Sequence, residues 1–231
     1  MKIIPLSEGT FTVDKSKQFV PFDNGADNLK ERPAGSLLVE IQPFCVVTAK
    51  DILLLDTGLG FEINGTLQLH QNLMDAGINP SEVTKVVMSH LHKDHSGGIG
   101  IEREGLGRRL SFPNATFYVQ QQELAFAFGK GSASYLENEL LSLQNAEQLV
   151  LLNGKGVIDE YIHHEITGAH SMYHQVIWIK EEGETIFFGG DDASQLQQMK
   201  HKFAAKYDYD GKKAMNLRQE WWEQGDRKSV V

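Results

Sequence analysis

Short runs of apolar residues, alternating in places with polar ones, fill the first sixty positions of the chain and predict β-strands. The predicted strands are 2–6, 10–13, 36–41, 44–48 and 52–55. Residues 23–35 between them are polar and rich in glycine, proline, asparagine and aspartate, which predicts a surface loop that could overhang a pocket. A meander of such short strands is typical of antiparallel sheet.

From residue 64 the apolar spacing becomes helical, and this predicted helix ends at Gly77. Strands and helices then alternate. Further strands are predicted at 85–88, 116–119, 148–152, 161–167, 174–180 and 185–188, and further helices at 120–128, 134–147, 194–206 and 211–224, the last capped by Asp210. The alternation predicts an α/β fold.

Length and charge narrow the classes of protein to which the chain can belong. Its 231 residues suit a single domain, 1–231, and the one cysteine, Cys45, allows no intrachain disulfide. A formal net charge of −9 disfavours nucleic acid as a partner. No apolar run is long enough for a membrane span or a signal peptide, so we expect a cytoplasmic protein that contacts no membrane.

Four metal-ligand residue types lie within six positions where the strand 85–88 ends. In an extended segment alternate side chains share a face, so His90 and His92 can bind one ion while Asp94 and His95, at the following turn, bind another. Imidazole and carboxylate together suit zinc. This cluster predicts a metal centre with two ions.

The sequence His-Leu-His-Lys-Asp-His at 90–95 resembles the H-x-H-x-D-H motif of the metallo-beta-lactamase-fold hydrolases. The resemblance extends over most of the chain and implies a four-layer αββα sandwich. It also implies that Asp56, in the Asp-Thr-Gly turn 56–58, lies behind the ligands and orients them.

The same resemblance implies ligands from the second half of the chain. The turn 167–170, Thr-Gly-Ala-His, assigns a third histidine ligand to His170, with His174 as a supporting histidine. The bridging carboxylate follows an apolar strand, and Asp191 is our choice, with Asp192 as the alternative. One ion would then be held by His90, His92 and His170 and the other by Asp94 and His95, with Asp191 shared.

A last histidine that many family members supply to the second ion has no counterpart after His201. Three interpretations stay open. The chain is a natural variant with a weaker second ion, it ends before the family's final strand and helix, or His201 or water replaces the ligand.

The resemblance implies a dizinc hydrolase in which a metal-bound hydroxide attacks the carbonyl of a small ester or lactone, with Asp94 and Asp191 as catalytic residues. The lactonase-like branch is favoured, although that branch's tyrosine is replaced by Gln195. The alternatives are a metal-binding protein with weak or no hydrolysis, and an iron-bearing redox protein of the same fold.

Aromatic and apolar residues could accept an acyl chain, namely Phe19, Phe22, Met172 and Tyr173. The tryptophans near the carboxyl terminus favour core packing, with a homodimer interface as the alternative.

Overall fold

The computed structural model describes residues 1–103, 105, 107–129 and 133–225, so residues 226–231 of the predicted domain lie outside the described part. The strands are β1 Lys2–Pro5, β2 Gly9–Val13, β3 Phe19–Pro21, β4 Leu37–Ile41, β5 Phe44–Val47, β6 Ile52–Leu55, β7 Glu62–Ile63, β8 Thr66–Leu67, β9 Lys85–Val87, β10 Gly100–Arg103, β11 Gly107–Leu110, β12 Thr116–Gln120, β13 Leu149–Leu152, β14 Gly156–Ile158, β15 Ile162–Ile166, β16 Gln175–Glu181 and β17 Glu184–Phe188. The α-helices are α1 Gln68–Asp75, α2 Lys93–Ser96, α3 Gln121–Gly129, α4 Glu137–Gln144, α5 Leu196–Lys200 and α6 Gly211–Gln224.

Two large sheets form the centre of the fold. The first has the strand order β1-β5-β6-β9-β12-β13, antiparallel from β1 to β6 and parallel from β6 to β13. The second is the antiparallel sheet β14-β15-β16-β17. Strand β9, which leads into the histidine motif, therefore lies inside the first sheet, between β6 and β12.

Alternation of side chains along the strands produces the layers. On β6, Leu53 and Leu55 pack toward the second sheet, whereas Leu54 packs into the core shared with helices α1, α3 and α4. On β16, Ile177 faces the first sheet and Val176 packs with Trp221 of α6. Because each sheet is apolar on both faces, helices cover the outer ones, and the predicted four-layer αββα sandwich is confirmed.

A third, three-stranded sheet, β3-β2-β4, lies beside the sandwich and contributes Phe19, Leu37 and Leu38 to the wall of a cavity. The predicted surface loop 23–35 is present and contains the 3₁₀ turn Leu29–Glu31, but its residues do not line that cavity. The strands on either side of the loop, rather than the loop itself, form the rim.

Three predicted helices differ in extent from the structure. The helix expected from residue 64 begins at Gln68, since Asn64 and Gly65 both have positive φ and turn a small hairpin between β7 and β8. The helix expected at 134–147 is α4, Glu137–Gln144, and the Ser134 carbonyl accepts a hydrogen bond from the Lys93 N–H instead. The helix expected at 194–206 shortens to α5, Leu196–Lys200.

Tertiary contacts explain the early end of α5. Within residues 201–210 the backbone pairs with other segments, because the Tyr209 N–H donates to the His170 carbonyl and the Asp210 N–H to the Ala169 carbonyl. Arg218, buried on α6, donates to the carbonyls of Phe203 and Asp192. These tertiary bonds outweigh the helix propensity of residues 201–206, which include two alanines and two lysines.

Among the residues that the structure describes, none of the helices has the length and apolar character that a membrane span requires.

Candidate metal centre

The histidine motif begins where β9 ends and closes in a single helical turn. His92 has extended backbone angles and caps α2, with its carbonyl accepting hydrogen bonds from the N–H groups of His95 and Ser96 at 2.9 Å each. The side chains before and after this change of backbone direction therefore point to different sides of one centre.

Two groups of ligand-type side chains result. The first, which we call the histidine triad, contains His90, His92 and His170. Within this group the ligand atoms lie within 4.8 Å of one another, and His92 Nδ1 is 3.2 Å from His170 Nε2. The second, which we call the mixed group, contains Asp94, His95 and Asp191 and satisfies the same distance limit.

Asp191 lies between the two groups. Its Oδ1 is 3.2 Å from His95 Nε2 of the mixed group, and its Oδ2 is 3.2 Å from His170 Nε2 of the histidine triad. A carboxylate can bind two cations in this way, one with each oxygen. This placement supports Asp191 as the bridging residue.

Asp192 has a different environment from Asp191. Its carboxylate accepts a hydrogen bond from the His170 N–H at 2.7 Å and lies 3.0 Å from His174 Nδ1, and the residue is fully buried. His174 Nε2 accepts the Asp191 N–H at 3.1 Å, so both of its ring nitrogens have partners. Asp192 and His174 thus support the turn that carries Asp191.

Asp56 holds the motif from behind, where the sequence placed it. Its carboxylate accepts hydrogen bonds from the Ser89 N–H and hydroxyl, both at 2.6 Å, and lies 2.8 Å from His95 Nδ1. That contact leaves His95 Nε2 directed toward Asp191. A carboxylate on the far nitrogen fixes the tautomer and orientation of a ligand imidazole.

Two further buried carboxylates support the histidine triad, and neither belongs to a motif that the sequence analysis identified. Asp208 accepts from His170 Nδ1 at 3.1 Å, and its other oxygen accepts the Ala205 N–H at 3.2 Å. Glu123 accepts the Leu91 N–H at 2.9 Å and the Tyr135 hydroxyl at 3.1 Å. Glu123 lies in a predicted helix, whereas Asp208 lies between two predicted helices, and neither position carried a functional signal.

Burial and neighbouring charges divide the histidines electrostatically. Burial, with the neighbouring imidazoles, lowers the pKa values of His90 and His92 well below the usual range, so both are neutral. Burial also lowers the pKa of His95, but the Asp191 carboxylate, together with Asp56 and Asp94, outweighs it and raises the pKa well above the usual range. In return, His95 and His170 outweigh burial and hold the pKa of Asp191 below its usual range.

The residues present fit zinc. His90 Nε2 is buried, and the described residues offer it no hydrogen-bond partner, which is unusual for a polar atom unless a ligand takes that place. Neutral imidazole nitrogen and carboxylate oxygen are the donors that zinc prefers, and three histidines form a common zinc-binding set. The histidine triad and the mixed group therefore form a candidate dizinc centre.

A cavity of about 760 Å³ opens above this centre. Phe19 and Met172, two of the expected apolar residues, line it, whereas Phe22 is buried elsewhere and Tyr173 does not reach it. Other lining residues are Leu37, Leu38, Phe126, Tyr135, Phe187, Leu196, Met199 and Tyr207. The volume suits a small molecule with apolar parts.

Two remaining expectations from the sequence concern His201 as a replacement ligand and the tryptophans near the carboxyl terminus. His201 ends α5, lies exposed and belongs to neither ligand group. Trp221 packs against Phe187 of β17 with ring centroids 5.0 Å apart, so it is part of the protein's own core. The homodimer stays a prediction.

Comparison with known proteins agrees with the fold. The N-acyl homoserine lactonase AttM of Azorhizobium caulinodans is 48% identical over 52 residues, and the match covers 22% of this chain but only 16% of that protein. A probable metal-dependent hydrolase from Staphylococcus aureus superposes with a TM-score of 0.75 at 19% identity, over 94% of this chain and 82% of that one. AidC, described as a dizinc quorum-quenching lactonase in complex with a hexanoyl-homoserine product, superposes with a TM-score of 0.71 at 20% identity, over 96% and 82%.

The family model for the metallo-beta-lactamase superfamily matches residues 40–203, which include all six expected metal ligands. The match runs from β4 to just beyond α5, through both large sheets of the sandwich. This chain belongs to the metallo-beta-lactamase superfamily.

Proposed function

We propose that this protein is a dizinc hydrolase that opens small lactones or esters bearing an apolar chain. The observation that carries the proposal is the position of Asp191, which presents one oxygen at 3.2 Å to a histidine of each ligand group. A single carboxylate placed in this way holds two metal sites at a fixed separation. Two adjacent ions are a recurrent device for hydrolysis.

In this proposal the chain's own residues have distinct tasks. His90, His92 and His170 hold one ion, Asp94 and His95 hold the other, and Asp191 is shared. Bound zinc lowers the pKa of water to about 7 and polarises a carbonyl group. Asp94 and Asp191 both belong to the mixed group and line the cavity, which supports their assignment to the catalytic machinery.

The shape and lining of the cavity support a lactone or ester with an apolar substituent. Phe126, Met172 and Leu37 offer apolar surface within reach of the metal centre. The relative AttM named above is an N-acyl homoserine lactonase, and AidC holds a product with a six-carbon acyl chain. Both facts favour acylated lactones over phosphotriesters, which we keep as an arm of the test.

The test combines metal analysis with a substrate panel. Purified protein is loaded with zinc, its metal content is measured, and turnover is followed on an acyl lactone, an aryl ester, a β-lactam and a phosphotriester. We expect about two zinc ions per chain and fastest turnover of the lactone or ester. His92→Ala is expected to abolish that turnover, with His163→Ala, on β15 and outside both ligand groups, as the matched control.

Three outcomes would overturn parts of the proposal. Negligible zinc after loading, together with unchanged turnover in His92→Ala, would contradict the metal centre itself. Full zinc binding without turnover of any substrate would favour a metal-binding protein without hydrolytic activity. Iron and visible absorbance in freshly purified protein would favour the redox alternative.

A further inference from the structure

Glu8, in the connection between β1 and β2, is a buried carboxylate whose neighbours are backbone groups. The residue is 4% exposed, and its two oxygens accept hydrogen bonds from the Leu59 N–H at 2.6 Å and the Phe61 N–H at 3.1 Å. Within the described part of the chain, no cationic side chain forms an ion pair with it. An acid buried without a cation is costly, and such groups are retained where they have a task.

The backbone that Glu8 binds belongs to residues 56–61, which we call the 56–61 loop. Asp56, at its start, has a φ of 59° and orients His95. Gly60, with a φ of 73°, lies so close to the motif that an added Cβ would be 2.5 Å from the Gly97 carbonyl oxygen. The loop therefore needs an unusual backbone conformation at several positions, and it must be held in place.

The opposite side of the 56–61 loop contacts the segment that follows His92. The Thr57 N–H donates to the His95 carbonyl at 2.7 Å, and the Thr57 hydroxyl donates to the same oxygen at 3.0 Å. The Gly97 N–H donates to the Gly58 carbonyl at 2.9 Å. The loop thus lies between Glu8 on one side and the backbone of His95 on the other.

We propose that Glu8 is a positioning residue for the mixed group of the metal centre, acting through the 56–61 loop on His95. Glu8 fixes the N–H groups at the far end of the loop, and the loop fixes both the His95 backbone, through Thr57, and the His95 ring, through Asp56. The histidine triad touches the loop through the Ser89 hydroxyl, which lies between Asp56 and His90 Nδ1, and it has separate supports in Asp208 and Glu123. Removal of Glu8 is therefore expected to weaken one ion selectively.

The test measures zinc affinity without substrate. Zinc-free wild type, Glu8→Gln and Glu8→Ala are titrated with zinc against a chromophoric chelator, which resolves two binding steps. We expect Glu8→Ala to weaken the second step by about 10- to 100-fold, the scale seen for residues that orient metal ligands, and to leave the first step within about threefold. Glu8→Gln keeps one accepting oxygen and is expected to show a smaller loss. Glu62→Gln, an exposed acid beside the same loop, is the matched control.

Cobalt provides a second readout that a loss of general stability would not produce. In cobalt-loaded protein we expect Glu8→Gln to change the visible absorption contributed by the second equivalent and to leave that of the first unchanged. If Glu8→Ala fails to fold, the nearly isosteric Glu8→Gln decides the question. An equal loss in both steps, or no loss in either, would overturn the proposal.

This inference rests on the proposed metal centre but not on the choice of substrate. A wild type that binds two zinc ions and hydrolyses none of the panel would refute the proposed function alone. A wild type that hydrolyses the lactone, with zinc affinities unchanged in both Glu8 variants, would refute the role of Glu8 alone.

Discussion

The two halves of the metal centre are supported in different ways. In the histidine triad, carboxylates bond directly to a ligand or to the backbone between two ligands, as Asp208 does with His170 and Glu123 with Leu91. In the mixed group Asp56 also bonds directly to a ligand, His95, but Asp56 belongs to the 56–61 loop, whose far end is bound by Glu8. Direct support involves few contacts, whereas support through a loop requires several backbone bonds to persist together.

This difference predicts unequal metal affinities. The histidine triad offers three imidazoles: the pKa values of His90 and His92 are lowered, so these two bind zinc without losing a proton, whereas Asp191 and Asp208 outweigh burial and raise the pKa of His170. The mixed group has a His95 whose pKa is raised by Asp191, so a proton competes with the ion there. We therefore expect the first zinc equivalent to enter the histidine triad and the second to enter the mixed group.

The largest effect is expected from His90→Ala. Protein zinc sites are worth about 10 to 16 kcal/mol, so losing one of three nitrogen ligands should weaken the first binding step on the order of 1,000-fold. Chelator competition measures this loss. Asp94→Asn, in the mixed group, is the matched comparison and is expected to weaken mainly the second step. If both variants weakened the same step, the two groups would not be separate sites.

A second effect is expected in the stability of the zinc-free protein. Burial, against the Leu59 and Phe61 hydrogen bonds, raises the pKa of Glu8 from 4.5 to about 7. Between these two pKa values the Glu8 carboxyl has lost its proton in the unfolded chain but keeps it in the folded protein. The free energy of unfolding of the wild type should therefore fall by about 3 kcal/mol as pH rises, at 1.36 kcal/mol for each pKa unit. Glu8→Gln lacks this group.

Urea unfolding of wild type and Glu8→Gln from pH 4.5 to 8 measures this effect. The difference between their free energies of unfolding should shift by about 3 kcal/mol in favour of the variant as pH rises. The exposed Glu62→Gln serves as the control. A difference that stays constant over the range would show that Glu8 does not titrate there.

The smallest of the three effects is expected from Asp208→Asn. The amide keeps the size of the side chain but removes the charge beside His170, and losses of about 10- to 100-fold in metal affinity are typical for such partners. The loss should appear in the first binding step, opposite to that of the Glu8 variants. Asp75→Asn, an exposed acid on α1, is the control. A loss confined to the second step would reverse the comparison on which these predictions rest.

Contiguous features were predictable from the sequence and distant ones were not. The motif 90–95 needs only a strand followed by one helical turn, which local pattern indicates, and the apolar run 52–55 predicted the strand β6. The choice between Asp191 and Asp192 depends on the 3₁₀ turn Gly190–Ala193, where Gly190 has a φ of 50° and His174 fixes the register. Sequence alone does not resolve such a one-residue difference.

The supporting role of Asp208 could not be predicted from the sequence for a related reason. Residues 201–206 have a composition compatible with helix, but the Phe203 carbonyl accepts from Arg218, and the following Tyr209 and Asp210 bond to the turn at His170. Asp208 and its partner His170 are 38 positions apart in the sequence. A local pattern carries no information about such pairs, whereas Asp210, a helix cap, was predicted because its partner Lys213 is three residues away.

The packing of α6 on β16 and β17 gives the protein an intrinsic fluorescence probe. All three tryptophans, Trp178, Trp221 and Trp222, belong to the apolar cluster at this outer layer, with Phe187 between two of them. Phe187 precedes the turn that presents Asp191 by only a few residues. Intrinsic fluorescence should therefore respond to occupation of the metal centre without any attached label.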